Sequence, residues 1–177
     1  MKLSRLLSEL DFNKKIINEI KKILTYKDRW SYYGEVVNFL KDKDFENVLE
    51  IGSGIFPLVK DSDRVDLENN PTYRFDLNNT PWKLTKHYDL VIGLEVLEHL
   101  KDPEDIFKEI KRVSDYAIIS LPYKWQDYNS KVHLHHNIDE KIIKNWFKIE
   151  PVESIKAKAW LILFYDFKKN NSNDDSL

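Results

Sequence analysis

VLEIGSGIF, residues 48–56, sets two of the chain's four glycines one residue apart behind an apolar run. Val48, Leu49 and Ile51 read as a short buried strand over 47–51 that ends at Gly52. In an open α/β sheet, ligands sit beyond the carboxyl ends of the strands. A glycine turn at such an end lets the backbone approach a ligand closely. Two phosphate-binding motifs are excluded. The third glycine of GxGxxG is replaced by Pro57, and Asp66 follows too early for that motif's ribose acid, which comes after ~20 residues. No GK[ST] follows, so the turn is not a P-loop.

Outward from this turn, the chain alternates strands and helices. RVDLE (64–68) and YRFDL (73–77) read as strands joined by links too short for full crossover helices. YDLVIGLEV (88–96) is an apolar run that fits a strand buried on both faces. Pro103 opens a helix, PEDIFKEIKRVS, whose early acids Glu104 and Asp105 complement the helix dipole. YAIISLP (116–122) is a fifth strand and IDEKIIKNWF a helix. FKIEPVES (147–154) and AKAWLILFYDF (157–167) read as a closing pair of strands. Before the first strand, apolar residues at helical spacing predict helices over 2–10 and 13–25, and 28–41 reads as a loop leading into a third helix. The polar tail 168–177 is expected to be disordered. These elements predict one α/β domain over 1–167. It has a Rossmann-like, mostly parallel twisted sheet with an antiparallel edge hairpin, helices on both faces (core 46–167), and an N-terminal helical cap over 1–41.

Composition bounds the function. With 177 residues, 42% hydrophobic and 33% charged, the chain suits a single soluble globular domain. A net charge of -2 gives no general pull toward nucleic acid. The absence of cysteine excludes disulfides and thiolate metal sites. No apolar run reaches the ~20 residues of a membrane span. Ser4, Arg5, Ser8 and Glu9 interrupt the N-terminal apolar residues, so no signal-peptide core is read there. A cytoplasmic protein without a membrane partner is expected.

Three strands in order end in acids: Asp66 in RVDLE, Asp76 in FDLNNTPW and Glu95 in IGLEVLEHL. Acids at successive carboxyl ends face one crevice. VLEIGSG, VDLENN, FDLNNTPW, YDLVIGLEVLEHLKDPEDIFKEIKRV and IISLP together resemble the ordered motifs of class I S-adenosylmethionine-dependent methyltransferases. The resemblance covers about residues 48–121, and EVLEHL before a DP-initiated helix is its most specific piece. It implies S-adenosyl-L-methionine as cofactor. By position, Glu50, Gly52 and Gly54 match the motif near the methionine part. Asp66 matches the acid that accepts from the ribose hydroxyls, Asp76 the acid near the adenine amino group with Leu77 flanking the ring, and Glu95 lies near the sulfonium. The chain departs from the family after the glycine turn, where 54–63 offers a turn or two instead of a full helix. A helix between the second and third strands is missing too.

Methyl transfer needs alignment of nucleophile and methyl, and a base where the nucleophile is a hydroxyl. HLHH follows the fifth strand, where this family commonly builds its acceptor site. His133 and His135 would share one face of an extended segment, and His135 is the preferred base, followed by His133 and His99. Trp125, Tyr123 and Tyr128 offer an aromatic wall, although aromatics in such a loop more often cover the core; Trp30, Tyr32 and Tyr33 offer a lid, with core packing an equal account. Glu95, Glu98 and His99, at i, i+3 and i+4, would share a helical face that a downstream histidine completes as a divalent metal site. EVLEHL also occurs in relatives without metal, so none is expected. The expectation is O-methylation of a small-molecule or glycan acceptor. A degenerate methyltransferase-fold binding or scaffold subunit is one alternative and an RNA 2′-O-methyltransferase another, although nucleic acid is disfavoured by the lack of a basic run. A homodimer is allowed for.

Overall fold

The computed structural model describes residues 29–54, 57–125 and 132–168. The helices expected over 2–10 and 13–25 and the tail from 169 lie outside these residues.

Among the described residues, seven strands form one sheet: β1 (Val48–Ile51), β2 (Asp63–Asp66), β3 (Tyr73–Arg74), β4 (Tyr88–Leu94), β5 (Ser114–Pro122), β6 (Glu153–Ala157) and β7 (Trp160–Asp166). Their order is β3-β2-β1-β4-β5-β7-β6. The first five are mutually parallel, and β7 pairs antiparallel with both β5 and β6. The chain moves outward from β1 to β3, then returns to place β4 against the other side of β1. That reversal is a topological switch point, where strand order opens a crevice at the carboxyl ends.

Alternation along the strands divides the core. Val48, Leu90, Ile92, Ile118, Trp160 and Ile162 face one side, where helix α1 (Arg29–Leu40) lays Tyr32, Val36 and Leu40. Leu49, Ile51, Val91, Ile119, Leu163 and Tyr165 face the other, against α2 (Pro103–Val113) and α3 (Glu140–Phe147). Each fully buried large apolar side chain contributes about 1.5–3 kcal/mol. Asp102 caps α2 by accepting from the Asp105 N–H at 3.2 Å, and Asp139 caps α3 by accepting from the Ile142 N–H at 2.9 Å.

Three local expectations are corrected. The segment from Asp28 is not a loop leading to a helix: α1 already runs from Arg29, because Tyr32, Val36 and Leu40 recur at i, i+4 and i+8 and bury one stripe. FKIEPVES is not a strand. Phe147 completes the apolar face of α3 by stacking on Phe107 at 4.2 Å between centroids, Lys148 ends the helix in the left-handed region, and β6 starts only at Glu153. The third strand is two residues long rather than five. The short links after β1 and β2 agree with the sequence: among the described residues, no helix joins β1 to β2 or β2 to β3.

Candidate active site

Gly52 and Gly54 lie at the carboxyl end of β1, at the switch point. Both adopt positive φ, +59° and +60°. Gly52 also lacks room, since a Cβ there would stand 2.7 Å from Val96 Cγ2. At Gly54 a Cβ would meet nothing within 4 Å. The Gly54 N–H donates to Asp66 Oδ2 at 2.9 Å, tying the ends of β1 and β2 together. Asp66 Oδ1 accepts from the Leu67 N–H at 2.7 Å and the Glu68 N–H at 3.2 Å. A carboxylate has about four acceptor sites, so Asp66 retains capacity for a ligand hydroxyl. Leu67 beside it is 57% exposed, an apolar surface next to that acid.

Asp76 follows β3. Its Oδ1 accepts from the backbone N–H and the side-chain amide of Asn78, both at 2.9 Å. That leaves Oδ2 for a further donor. Leu77 is buried in the core with Trp82, whose Nε1–H donates to the Leu77 carbonyl at 3.0 Å.

Glu50 is placed differently from the other acids. It is buried, with Oε2 accepting from the Leu58 N–H at 2.7 Å and Oε1 from the Val59 N–H at 2.8 Å and the Ser62 hydroxyl at 2.7 Å. Burial raises its pKa above the ordinary glutamate value, and the hydrogen bonds from Leu58, Val59 and Ser62 and the charge of Arg64 only partly counter this. Its carboxylate therefore organises the link after the glycine turn from inside the protein.

Glu95 stands at the end of β4 in the left-handed region, at φ 56°. Its side chain accepts from the Ser120 hydroxyl at 2.9 Å and from Trp160 Nε1–H at 2.7 Å. Ser120 and Trp160 carry no sequence signal for this role. Trp160 comes from the far end of the chain and arrives because β7 pairs with β5 in the register Pro122↔Trp160. Tyr32, of the expected lid, is buried against Trp160 at 5.3 Å between centroids.

After Glu95 the chain makes a single 3-10 turn, Leu97–His99. Glu95, Glu98 and His99 therefore do not share a helical face, and Glu95 turns to Ser120 instead. Glu98 is fully buried, with Oε1 3.6 Å from His99 Nε2. The HLHH segment is fastened to this turn by the Leu134 and His135 N–H groups, which donate to the Glu98 carbonyl at 2.8 and 3.2 Å. His133 and His135 do not act as a pair on one face. The His133 ring lies edge-on to His99 at 4.7 Å and to Trp125 at 5.6 Å. The His135 Nε2–H donates to the Leu100 carbonyl at 2.8 Å, and its ring packs edge-on against Trp146 at 4.9 Å. Ligand atoms of Glu98, His99 and His133 lie within 4.8 Å of one another. Around this cluster Trp125, Val132 and Leu134 are 40%, 65% and 55% exposed.

The cradle at Gly52 and Gly54, the acids Asp66 and Asp76 with acceptor capacity, and the carboxylate at the end of β4 fit a nucleoside-bearing cofactor along the strand ends.

Comparison with known proteins agrees with this fold. A family model described as a methyltransferase domain matches residues 55–115. Many solved structures share the fold, and three of them follow. One is the N-methyltransferase NodS from Bradyrhizobium japonicum, at 13% identity and TM-score 0.61, covering 79% of this chain and 96% of that one. The second is an S-adenosylmethionine-dependent methyltransferase from Thermotoga maritima, described as a possible histamine N-methyltransferase, at 14% identity and TM-score 0.61 over 86% and 96%. The third is TehB from Haemophilus influenzae, at 17% identity and TM-score 0.56; the match covers 75% of this chain and 61% of that longer one. No curated protein gives a significant match. No helix among the described residues is long and apolar enough to cross a membrane.

Proposed function

We propose that this chain, a member of the class I S-adenosylmethionine-dependent methyltransferase family, methylates a hydroxyl group of a small-molecule or glycan acceptor bound over the carboxyl ends of β4 and β5. The observation that carries the reading is the cluster of Glu98, His99 and His133, bordered by exposed Trp125, Val132 and Leu134. Imidazoles beside a buried carboxylate suit a hydroxyl that must be oriented and relieved of its proton. Exposed apolar and aromatic side chains suit the faces of a ring-bearing acceptor. His133 replaces His135 as the preferred group, because the ring of His135 is held by Leu100 and Trp146 away from this cluster.

S-adenosylmethionine, when bound, would supply the activated methyl carbon and its sulfur would take up the electron pair; Glu98, His99 and His133 would orient the acceptor oxygen and take its proton. The test is transfer of labelled methyl from S-adenosylmethionine to panels of phenols, sugars and nucleotide sugars, with amines as the counter-panel. Methyl ethers are expected, with turnover lowered ~10²-fold or more in His133→Ala. Methylation confined to amines, or full turnover in His133→Ala, would overturn the reading. A second reading, a methyltransferase-fold binding subunit, draws support from the missing crossover helices; cofactor binding separates the two.

A further inference from the structure

We propose that a cavity at the amino ends of β4, β5 and β6 is a binding site for an aliphatic polyamine. It lies at the opposite end of the strands from the glycine turn, so it is separate from the candidate active site.

The cavity measures about 560 Å³, within the ~300–1,000 Å³ of small-molecule sites. Its walls come from the end of α1 and the link to β1, the starts of β4, β5 and β6, and the end of β7. They meet because β7 pairs antiparallel with both β5 and β6, which brings its end beside their starts. Aromatic rings from several of these elements line the cavity. Phe39 and Phe164 lie 4.3 Å apart between centroids, Phe164 stacks on Tyr116 at 5.9 Å, and Phe45 stands edge-on to Tyr116 at 5.5 Å. The faces of such rings attract cations. The chain's own ammonium groups report that preference. Lys43 Nζ lies 4.2 Å from the centroid of Phe39 and 5.9 Å from that of Phe164, and Lys168 Nζ lies 5.4 Å from that of Tyr116.

The charge around the rings has the matching sign. Asp44, Asp89, Asp115, Glu153 and Asp166 line the cavity against only Lys43 and Lys168. Asp115 accepts from Lys168 Nζ at 2.8 Å and meets His87 Nε2 at 3.0 Å. Asp89 Oδ2 accepts from the Glu46 and Asn47 N–H groups, both at 2.8 Å. Carboxylates alone would be an ordinary solvated rim; here they surround apolar rings. An apolar recess lined by Val36, Ile118, Ile155 and Ile162 adjoins the cavity through Phe39 and Phe164. An inorganic cation would satisfy the carboxylates and gain nothing from this apolar lining. A neutral apolar ligand would leave the carboxylates facing it without solvent. An aliphatic polyamine matches both, with ammonium groups at the carboxylates and methylene segments across the rings.

The test is calorimetric titration of the full chain with spermidine at about 0.15 M salt, where attraction between exposed charges is screened. Saturable binding of about one molecule per chain is expected. Hexaamminecobalt(III) carries the same triple charge without methylenes, and it should bind at least ~10-fold more weakly. The double variant Asp44→Asn, Glu153→Gln should also lose ~10-fold or more, and Phe39→Leu at least ~3-fold. Lys43→Ala uncovers the faces of Phe39 and Phe164, so it should bind spermidine at least ~3-fold more tightly. Lys141→Ala removes the same charge from the exposed side of α3 and should bind as the wild type does. Asp44 and Glu153 are exposed, so their variant remains informative if Phe39→Leu fails to fold, and circular dichroism confirms the fold of each. Absence of saturable binding, equal affinity for hexaamminecobalt(III), unchanged affinity in the double variant, or a Lys43→Ala that binds no more tightly than Lys141→Ala would overturn the site. The titration involves neither S-adenosylmethionine nor an acceptor, so its failure leaves the O-methylation reading untouched and its success does not support that reading.

Discussion

Gly52 and Gly54 share a conformation but not a role. Either one mutated to alanine places a Cβ in the left-handed region, costing about 1–2 kcal/mol. Gly52→Ala adds a collision with Val96, 2.7 Å away, so it should lower the unfolding midpoint by more than Gly54→Ala does. Gly54 faces open space, so its variant should lose affinity for S-adenosylhomocysteine at a modest cost in stability. Chemical denaturation and calorimetry on both variants check this, and equal effects on both quantities would refute the division. The sequence made these two glycines legible as a tight turn at the end of the first strand, because glycine is scarce elsewhere, and both adopt the positive φ such a turn uses. Glu50 was legible as part of the same motif but not in its partners, since Leu58, Val59 and Ser62 lie in a stretch with no periodicity. Its raised pKa has a consequence. The unfolded chain ionises Glu50 near ~4.3, below the value in the fold, so the protonated form favours folding. Its contribution is fully present below that ordinary value and is lost as pH rises through the higher folded value. Glu50→Gln should remove this slope. It should also destabilise by about 1–3 kcal/mol, because its amide must face the N–H of Leu58 or Val59. Urea midpoints from about pH 4 to 7 measure the slope in both proteins, and parallel curves would refute the assignment.

At the scale of elements, carboxylate clamps stand where crossover helices are missing. Glu50 gathers the link from β1 to β2. Glu109 on α2 gathers the link from β3 to β4: its Oε2 accepts from the Trp82 N–H at 2.7 Å and from Arg112 at 2.6 Å, and Arg112 also donates to the Trp82 and Leu84 carbonyls at 3.0 and 3.3 Å. Burial acts to raise the Glu109 pKa, but the bonds from Arg112 and Trp82 prevail and hold it below the ordinary value. Arg112→Ala removes two carbonyl anchors and the countercharge. Because Arg112 is 44% exposed, the cost should be about 1–2 kcal/mol, short of the 3–5 of a fully buried pair. Amide exchange at Trp82 should accelerate while exchange in β5 tracks only the global change; an unchanged Trp82 rate would show that the clamp does not hold this link. The helices α2 and α3 were legible from caps and periodicity. β6 was not, because Phe147 and Ile149 read equally as strand residues and only tertiary packing on Phe107 assigns Phe147 to the helix. The histidines were legible as a cluster but not in their division, because the alternation rule presumes an extended backbone. The Leu100 carbonyl, which holds His135, is set by the β4 turn.

For the whole molecule, the question is whether so lean a fold still holds its cofactor. The sheet keeps its full seven-strand order, and the switch point between β1 and β4 depends on strand pairing rather than on the missing helices. Cofactor contacts at the strand ends should therefore survive the shortening. A ligand that binds only the folded state stabilises it by RT ln(1 + [L]/Kd), about 2.7 kcal/mol at a hundredfold excess over Kd. For a chain of this size, that is a rise in Tm of about 5–10 °C. S-adenosylhomocysteine at that excess should produce such a rise in the full chain. Where Asp66 accepts from the ribose hydroxyls as proposed, Asp66→Ala should cost about 1.5–3 kcal/mol of affinity. At the same ligand concentration this leaves only about 0.3–1.3 kcal/mol of stabilisation, so the rise should drop to about half or less of the wild-type value. Each protein is measured against its own ligand-free Tm, because Asp66 also accepts from the Gly54 N–H and its loss weakens the turn by itself. A wild-type chain that shows no rise would be a scaffold in a methyltransferase fold. An equal rise in Asp66→Ala would place the ribose elsewhere along the strand ends.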